Sequence, residues 1–195
     1  MGRQRPEGAL AERVLALQKE CEKLFQPANV HLRIPLGPTS PYRRLQQFID
    51  QSTTLSARLA GCHAAYLICA TIGTAIDAFQ RRHSVLSGTD ALIIQAIGAE
   101  RIEAYADACE REIETELETG ESLVERYSPG YGNFPLDAQG EFFSILDPPR
   151  AIGVSLTDTN LMVPSKSITA IIGVKRCGPV DHLDEKAPRS TKGVS

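Results

Sequence analysis

A short polar stretch at residues 125–133, with the sequence Glu-Arg-Tyr-Ser-Pro-Gly-Tyr-Gly-Asn, carries the residue types best suited to bind a ligand. Its guanidinium, Arg126, can hold a carboxylate through two parallel hydrogen bonds. Its tyrosines supply flat faces with a polar tip, Pro129 fixes the backbone, and Gly130 lets a ligand approach the main chain closely. Such a stretch is poorly suited to a hydrophobic core. We therefore predict that it lines a site for an anionic ligand.

Other ligand and catalytic motifs are absent from the sequence or open to two interpretations. Neither nucleotide-binding fingerprint occurs, and no His-Glu-x-x-His or paired-cysteine set predicts a metal site. A Ser/His/Asp triad stays open, but no nucleophile elbow is present, so we assign no catalytic residue. Residues 164–167, Pro-Ser-Lys-Ser, place two serines around a lysine. They could hold an anion or simply form a turn between two strands.

Composition limits the class of protein. The chain has 195 residues, of which 42% are hydrophobic and 23% charged, as expected for one globular domain. The net charge of -3 argues against a nucleic-acid partner. The N-terminus has no signal-like apolar run, and no stretch of 18 apolar residues predicts a membrane span. We predict a cytoplasmic protein, with its five cysteines reduced.

Hydrophobic periodicity before residue 90 predicts alternating helices and strands. Apolar residues recur every three or four positions over residues 10–24, as in a helix laid against the domain. Residues 30–35 alternate as a half-buried strand, with His31 on its polar side. The apolar run 63–73 predicts a buried strand. We expect His63, at the start of this strand, to be a hydrogen-bonded strand-end residue rather than a ligand-binding one. We also predict short helices at residues 42–51, 53–61 and 74–80.

The longest element is a helix over residues 92–118, with Ser87 or Thr89 as its cap. Gly98 lies inside it, which predicts close packing by another backbone or a bend. Beyond the polar stretch we predict a helix at residues 136–146 stopped by two prolines, and strands at 152–157 and 167–174. Strands that are not each separated by a helix predict an α+β domain with a twisted, mostly antiparallel sheet and flanking helices.

Three pieces of the sequence, in order, resemble a known family. They are residues 70–73 (Ala-Thr-Ile-Gly), the Arg-x-x-Pro-Gly-Tyr motif at 126–131, and residues 152–157 together with 164–173. Together they look like the activation (reactivation) domain of cobalamin-dependent methionine synthase in a stand-alone form. The similarity runs from about residue 55 to residue 174. The predicted domain spans residues 9–175, between a flexible segment at 1–8 and a disordered tail at 176–195.

The resemblance implies a role and a ligand. In this family the domain caps a corrinoid domain whose cobalamin has become inactive, and presents S-adenosylmethionine for its reductive methylation. The Arg-x-x-Pro-Gly-Tyr motif is the family's S-adenosylmethionine signature, so the resemblance implies ligand-binding roles for a group of residues in and near the loop: Arg126, Ser128, Pro129, Gly130 and Tyr131. Glu103 aligns with a family glutamate after a one-residue gap, but it is equally interpreted as one more exposed helix glutamate.

The chain also departs from the family pattern. An N-terminal acidic residue and a C-terminal tyrosine complete the family's ligand site, and we place neither here: after Val174 comes Lys-Arg-Cys-Gly-Pro. No corrinoid-binding histidine motif occurs, so the cobalamin must belong to a partner, such as a methionine synthase lacking this domain. A flavodoxin-like protein would supply the electron. Two hypotheses follow: a reactivation subunit that uses S-adenosylmethionine, and a corrinoid-docking module that does not.

Overall fold

Four antiparallel strands form the sheet at the centre of the fold, and a separate pair forms a small second sheet. The computed structural model describes residues 8–176. Its strands, in chain order, are β1 (Ala28–Pro35), β2 (Cys62–Thr71), β3 (Glu121–Leu123), β4 (Ser155–Leu156), β5 (Met162–Val163) and β6 (Ser167–Arg176). The main sheet has the order β1-β2-β6-β3, while β4 pairs with β5. The predicted α+β domain with an antiparallel sheet is confirmed.

Helices cover both faces of the main sheet. They are α1 (Ala9–Glu22), α2 (Arg43–Gln51), α3 (Thr53–Arg58), α4 (Ala75–Leu86), α5 (Gly88–Glu114), α6 (Gln139–Leu146) and α7 (Pro148–Ile152), with a 3-10 turn at Leu136–Ala138 before α6. Successive side chains of a strand point to opposite faces. Tyr66 and Ile68 of β2 accordingly pack with α1, α4 and α5. Leu67 and Cys69 pack on the other face with α2, α3 and α6. Burial on both faces explains why β2 is a continuous apolar run.

The long helix begins where the sequence places its cap. The Ser87 side chain accepts a hydrogen bond from the Asp90 backbone N–H, and α5 continues for 27 residues. Gly98 in its interior packs against a side chain, not against a backbone, which was one of the two predicted alternatives. A Cβ built on Gly98 would lie 2.8 Å from Cε of Lys166. The glycine therefore makes room for a buried lysine beneath the helix.

Several short elements differ from the sequence-based predictions. Helix α4 continues to Leu86, well beyond the one or two turns predicted. Within it, buried Phe79 packs against His83, with ring centres 4.5 Å apart and ring planes tilted by 57°. The predicted strand 152–157 is reduced to Ser155–Leu156, because α7 continues to Ile152 and Gly153 follows it in a left-handed conformation. Proline is favoured in the first turn of a helix. The two prolines therefore begin α7 as well as ending α6.

The four described cysteines are free thiols, and burial raises the pKa of Cys69 to about 12 and of Cys21 to about 11. Cys177 lies outside the described residues, as do almost all of the predicted flexible segment and tail. Across residues 8–176, no helix is both long and apolar enough to span a membrane. The same part of the chain brings no group of three or more His, Cys, Asp or Glu into a metal-binding arrangement.

A buried carboxylate joins three strands at one end of the sheet. Glu121 of β3, whose side chain is only 2% exposed, accepts two hydrogen bonds from Arg33 of β1 at 2.6 and 3.0 Å. His63 of β2 lies 2.9 Å from the same carboxylate, and the Glu118 backbone N–H lies 3.0 Å away. The predicted hydrogen-bonded strand-end role of His63 is confirmed. Chiefly through the Arg33 hydrogen bonds, the pKa of Glu121 falls to about 2.

This ion pair predicts a specific acid sensitivity. A carboxyl group whose pKa is lower in the folded state stabilises the fold above its unfolded pKa, near 4.5, and loses that contribution as the pH falls towards 2. Urea unfolding should therefore show wild-type stability falling over that window, and Glu121→Gln should flatten the decline while lowering stability at pH 7. Glu114→Gln, at an exposed position of α5, is the matched control and should keep the wild-type slope. An unchanged slope in Glu121→Gln would contradict the assignment.

Candidate functional site

The 125–133 loop, which contains the Arg-x-x-Pro-Gly-Tyr motif, is fixed to the sheet at one end. Tyr127 forms a two-way backbone pair with Ile171 of β6, each hydrogen bond being 2.9 Å long. The Tyr127 hydroxyl donates to Thr54 Oγ1 at 3.0 Å, and the Arg58 guanidinium lies 5.0 Å from the centre of the Tyr127 ring. The loop therefore starts from a fixed position beside a central strand.

Asn133 fixes the other end of the loop to the start of α3. Its Oδ1 accepts hydrogen bonds from Ser52 Oγ at 2.9 Å and Thr54 Oγ1 at 2.6 Å, while its Nδ2 donates to Thr53 Oγ1 at 2.8 Å. Between the two ends the backbone turns at Gly130, which has a φ of 90° and donates its N–H to Phe134 O at 2.8 Å. A residue with a side chain rarely adopts that φ. These contacts account for the rigid, glycine-containing loop that the sequence predicts.

The loop forms one wall of a groove of about 530 Å³, called here the loop groove. Its other walls are helix α5, the 3-10 turn with the start of α6, the β4–β5 turn with β5, and the start of β6. Four of the six predicted site residues line it: Glu103, Ser128, Pro129 and Tyr131. Gly130 shapes the turn and Arg126 lies beside the groove, but neither lines it. A volume of this size is typical of small-molecule sites.

Two buried polar side chains in the loop groove were not predicted from sequence. Gln139 is 3% exposed and Thr169 is 2% exposed, and both line the groove. Neither side chain has a hydrogen-bond partner among residues 8–176. Buried polar groups normally have partners, so both are available to a ligand. The sequence does contain a sign that Gln139 is unusual. It occupies a core-facing position between Leu136 and Phe142 in an otherwise apolar helical stripe.

Arg126 lies within a cluster of three carboxylates on one face of α5. Its Nη1 donates to Asp107 Oδ1 and Glu110 Oε1, both at 2.6 Å, and its Nη2 donates to Glu103 Oε2 at 2.8 Å. Burial opposes the charge of this guanidinium, yet the three hydrogen bonds raise the pKa of Arg126 above its usual range. In this structure the arginine expected to bind a ligand carboxylate is occupied by the chain's own acids.

This carboxylate cluster gives one side of the groove a negative character. Three carboxylates surround one guanidinium, so two negative charges are not balanced within the cluster. Glu103 belongs to both the carboxylate cluster and the loop groove, because it accepts a hydrogen bond from Arg126 and also lines the groove. Its side chain is 57% exposed, so it can reorient toward a ligand. The structure thus places Glu103 at the groove, and its role as a ligand contact stays a prediction.

Exposed apolar side chains form one rim of the loop groove. Tyr131 is 66% exposed, Leu161 60% and Val163 47%, and all three line the groove. Single exposed apolar residues are common on protein surfaces, but a contiguous group beside a groove is typical of an interaction site. The candidate site therefore includes this apolar rim as well as the loop groove.

Comparison with solved structures reports a similarity to a crystal structure described as the MetH reactivation domain bound to AdoHcy. The two share 15% sequence identity and superpose with a TM-score of 0.57. The match covers 89% of this chain and 70% of that chain. At this identity the likeness shows the fold. No protein-family model matches this chain, and no curated protein sequence matches it.

The geometry of the loop predicts different costs for two glycine substitutions. A Cβ on Gly132, which has a φ of 53°, would lie 2.4 Å from Tyr127 Oη and 3.0 Å from Thr54 Oγ1. A Cβ on Gly61, with a φ of 77°, would meet no atom within 4 Å. Gly61→Ala should therefore cost only the backbone strain, about 1–2 kcal/mol. Gly132→Ala should cost roughly 2–3 kcal/mol, because the hydrogen bond between Tyr127 and Thr54 is also disrupted.

Denaturant unfolding measures both costs, and equal losses for the two variants would contradict the packing described for the loop.

Proposed function

We propose that the loop groove binds S-adenosylmethionine, and that the chain is a separate reactivation component of a cobalamin-dependent methionine synthase system. One observation carries the proposal. Three residues of the motif region, Ser128, Pro129 and Tyr131, line one groove together with Glu103. The fold is similar to that of a domain bound to AdoHcy. The motif is a feature of the sequence and the groove is a feature of the fold, so their coincidence supports a ligand site.

The groups that line the groove fit the parts of S-adenosylmethionine. The ligand has a carboxylate, an ammonium, a ribose diol, an adenine and a positively charged sulfonium. The unpaired amide of Gln139 can hydrogen-bond a base or a sugar hydroxyl. The backbone around Ser128 and Pro129 offers close approach, and Pro129 supplies a carbonyl without a competing N–H. These contacts come from residues that already face the groove.

The carboxylate cluster determines how Arg126 can take part. The ligand's carboxylate can bind the guanidinium only by replacing one of its present partners. Asp107 is 53% exposed, so it can turn to water when it is displaced. The remaining negative charge then lies beside the ligand's ammonium and sulfonium. An excess of acidic groups is therefore compatible with a ligand that carries more positive than negative charge.

The chain's own residues bind and orient the ligand, and no described residue is placed as an acid, base or nucleophile. S-adenosylmethionine supplies a methyl group when bound, and the cobalamin that receives it belongs to a partner protein. Tyr131, Leu161 and Val163 present an apolar rim on which a corrinoid domain could dock. A flavodoxin-like protein is the proposed electron donor, and the cytoplasm is the proposed compartment.

Titration calorimetry with S-adenosylmethionine tests this proposal. Arg126→Gln should weaken binding about 10- to 100-fold, because a charge-assisted hydrogen bond contributes roughly 1.5–3 kcal/mol. Glu103→Gln should also weaken binding, by removing a charge beside the ligand's cationic groups. S-adenosylhomocysteine, which lacks the sulfonium charge, should bind more weakly than S-adenosylmethionine.

The matched control is Arg58→Gln, since Arg58 also contacts the loop but packs on Tyr127 and pairs with Glu125 away from the groove. It should retain wild-type affinity. Absence of heat at millimolar S-adenosylmethionine, or equal binding by wild type and Arg126→Gln, would exclude this use of the groove.

A second candidate function is a corrinoid-docking module that does not use S-adenosylmethionine. The observation in its favour is that Arg126 already pairs with three carboxylates, those of Glu103, Asp107 and Glu110. The apolar rim serves docking equally well under either function. The two differ only in whether the groove holds a ligand.

The rim predicts a defect in partner binding. With a cobalamin-dependent methionine synthase fragment lacking its own reactivation domain as the probe, Leu161→Ser and Tyr131→Ala should each weaken association at least about tenfold. Leu15→Ser is the matched control, because Leu15 on α1 is similarly exposed, at 57%. Association without any S-adenosylmethionine binding would select the docking module, and undiminished association by both rim variants would contradict docking through this surface.

A further inference from the structure

A second cavity, of about 450 Å³, lies between α4 and α5 and is called here the lysine cavity. Its wall includes Lys166, Gln95, Ser165, Arg81 and Asp77. It is separate from the loop groove, with which it shares only Ser165. Neither the motif at residues 126–131 nor the proposed function accounts for it.

Lys166 is a buried cation without an ionic partner. The residue is 4% exposed, and its Nζ donates to Gln95 Oε1 at 2.5 Å and to Ser165 Oγ at 3.3 Å. It forms no salt bridge with a carboxylate anywhere in residues 8–176. An ammonium has three N–H donors, so one has no protein acceptor. Burial lowers the pKa of Lys166, although the nearby charge of Asp77 opposes this effect.

The long helix is adapted to the path of this lysine. The Lys166 stem passes under Gly98, where an added Cβ would lie 2.8 Å from Cε and 3.1 Å from Cδ. A glycine in a helix interior costs about 1 kcal/mol relative to alanine. Placing the Lys166 ammonium at the cavity therefore has two costs: the lower helix propensity of Gly98 and the desolvation of the lysine charge.

The rest of the cavity wall is suited to an anion. Arg81 makes no ion pair within the described residues and lines the cavity with a second positive charge. Asp77 is the one acid among the lining residues. Both of its oxygens are occupied by Ser165, through the backbone N–H and the hydroxyl, each at 2.7 Å. The lining therefore carries one net positive charge and free hydrogen-bond donors.

We propose that the lysine cavity binds a compact oxyanion of the phosphate class, either free or as the terminal group of a phosphate ester. The Lys166 ammonium supplies a desolvated charge, and the Arg81 guanidinium supplies a planar pair of donors that matches phosphate. The hydroxyl of Ser84, also in the lining, donates to the Arg81 backbone carbonyl at 2.7 Å, so the donors for the anion come from Lys166 and Arg81. The sequence left the Pro-Ser-Lys-Ser segment open between a turn and an anion site. In the structure it is a turn that sends its lysine into a cavity.

NMR on protein labelled with carbon-13 lysine tests the proposal. The Lys166 signal is identified by its loss in Lys166→Met, which keeps most of the length of the side chain and removes the charge. Inorganic phosphate, added at constant ionic strength against chloride, should shift that signal saturably and raise the pH at which it titrates. Arg81→Gln should weaken the phosphate affinity about tenfold, since it removes charge-assisted hydrogen bonds. This second variant keeps the test valid if Lys166→Met fails to fold.

Arg82→Gln is the matched control, because the Arg82 guanidinium packs over the Phe79 ring at 5.8 Å and does not line the cavity. It should bind phosphate as wild type does. A comparison of inorganic phosphate with glycerol 3-phosphate distinguishes a free anion from an ester terminus, according to which binds more tightly. No saturable Lys166 shift with either probe, or equal phosphate affinity in Arg81→Gln and wild type, would overturn the proposal.

Discussion

The pairing of β2 and β6, two strands buried along most of their length, is the constraint on which the rest of this structure depends. Their shared register, with Leu67 opposite Ile171, places apolar side chains on both faces of the sheet. Helices must then cover both faces, because burial of this apolar surface is the main favourable contribution to folding. Both candidate sites adjoin the start of β6, and the 125–133 loop pairs with its middle. The central strand thus positions both candidate sites as well as the core.

Sequence periodicity predicted the long elements well, because burial over many residues leaves a clear pattern. The helix starting after Ser87 and the strand ending near Val174 are examples. Short elements failed where tertiary contacts decide conformation: two residues, Ser155 and Leu156, became a strand only by pairing with β5. The carboxylate cluster around Arg126 was also not predictable from the sequence. Glu103, Asp107 and Glu110 share a helix face by their spacing, but sequence alone could not show that Arg126 would meet that face.

The two cations beside the cavities represent opposite electrostatic arrangements. Arg126 has more carboxylate partners than its single charge requires, whereas Lys166 has none. A cation with surplus acids favours binding of positively charged groups nearby, and a desolvated cation without an acid favours an anion. Formal net charge, which is -3 for the whole chain, reveals neither arrangement. Ligand preference here is a property of local pairing within a few ångströms.

The 125–133 loop and the residue just before it also cover part of the edge of β6 that faces away from β2. Beyond the three residues of β3, the backbone groups of β6 are met by Val124, whose N–H donates to Gly173 O, and by Tyr127. An uncovered edge of this kind is a template for pairing between molecules. Damage that releases the loop therefore exposes a surface prone to aggregation. The loop's backbone therefore has a structural role that does not depend on ligand binding.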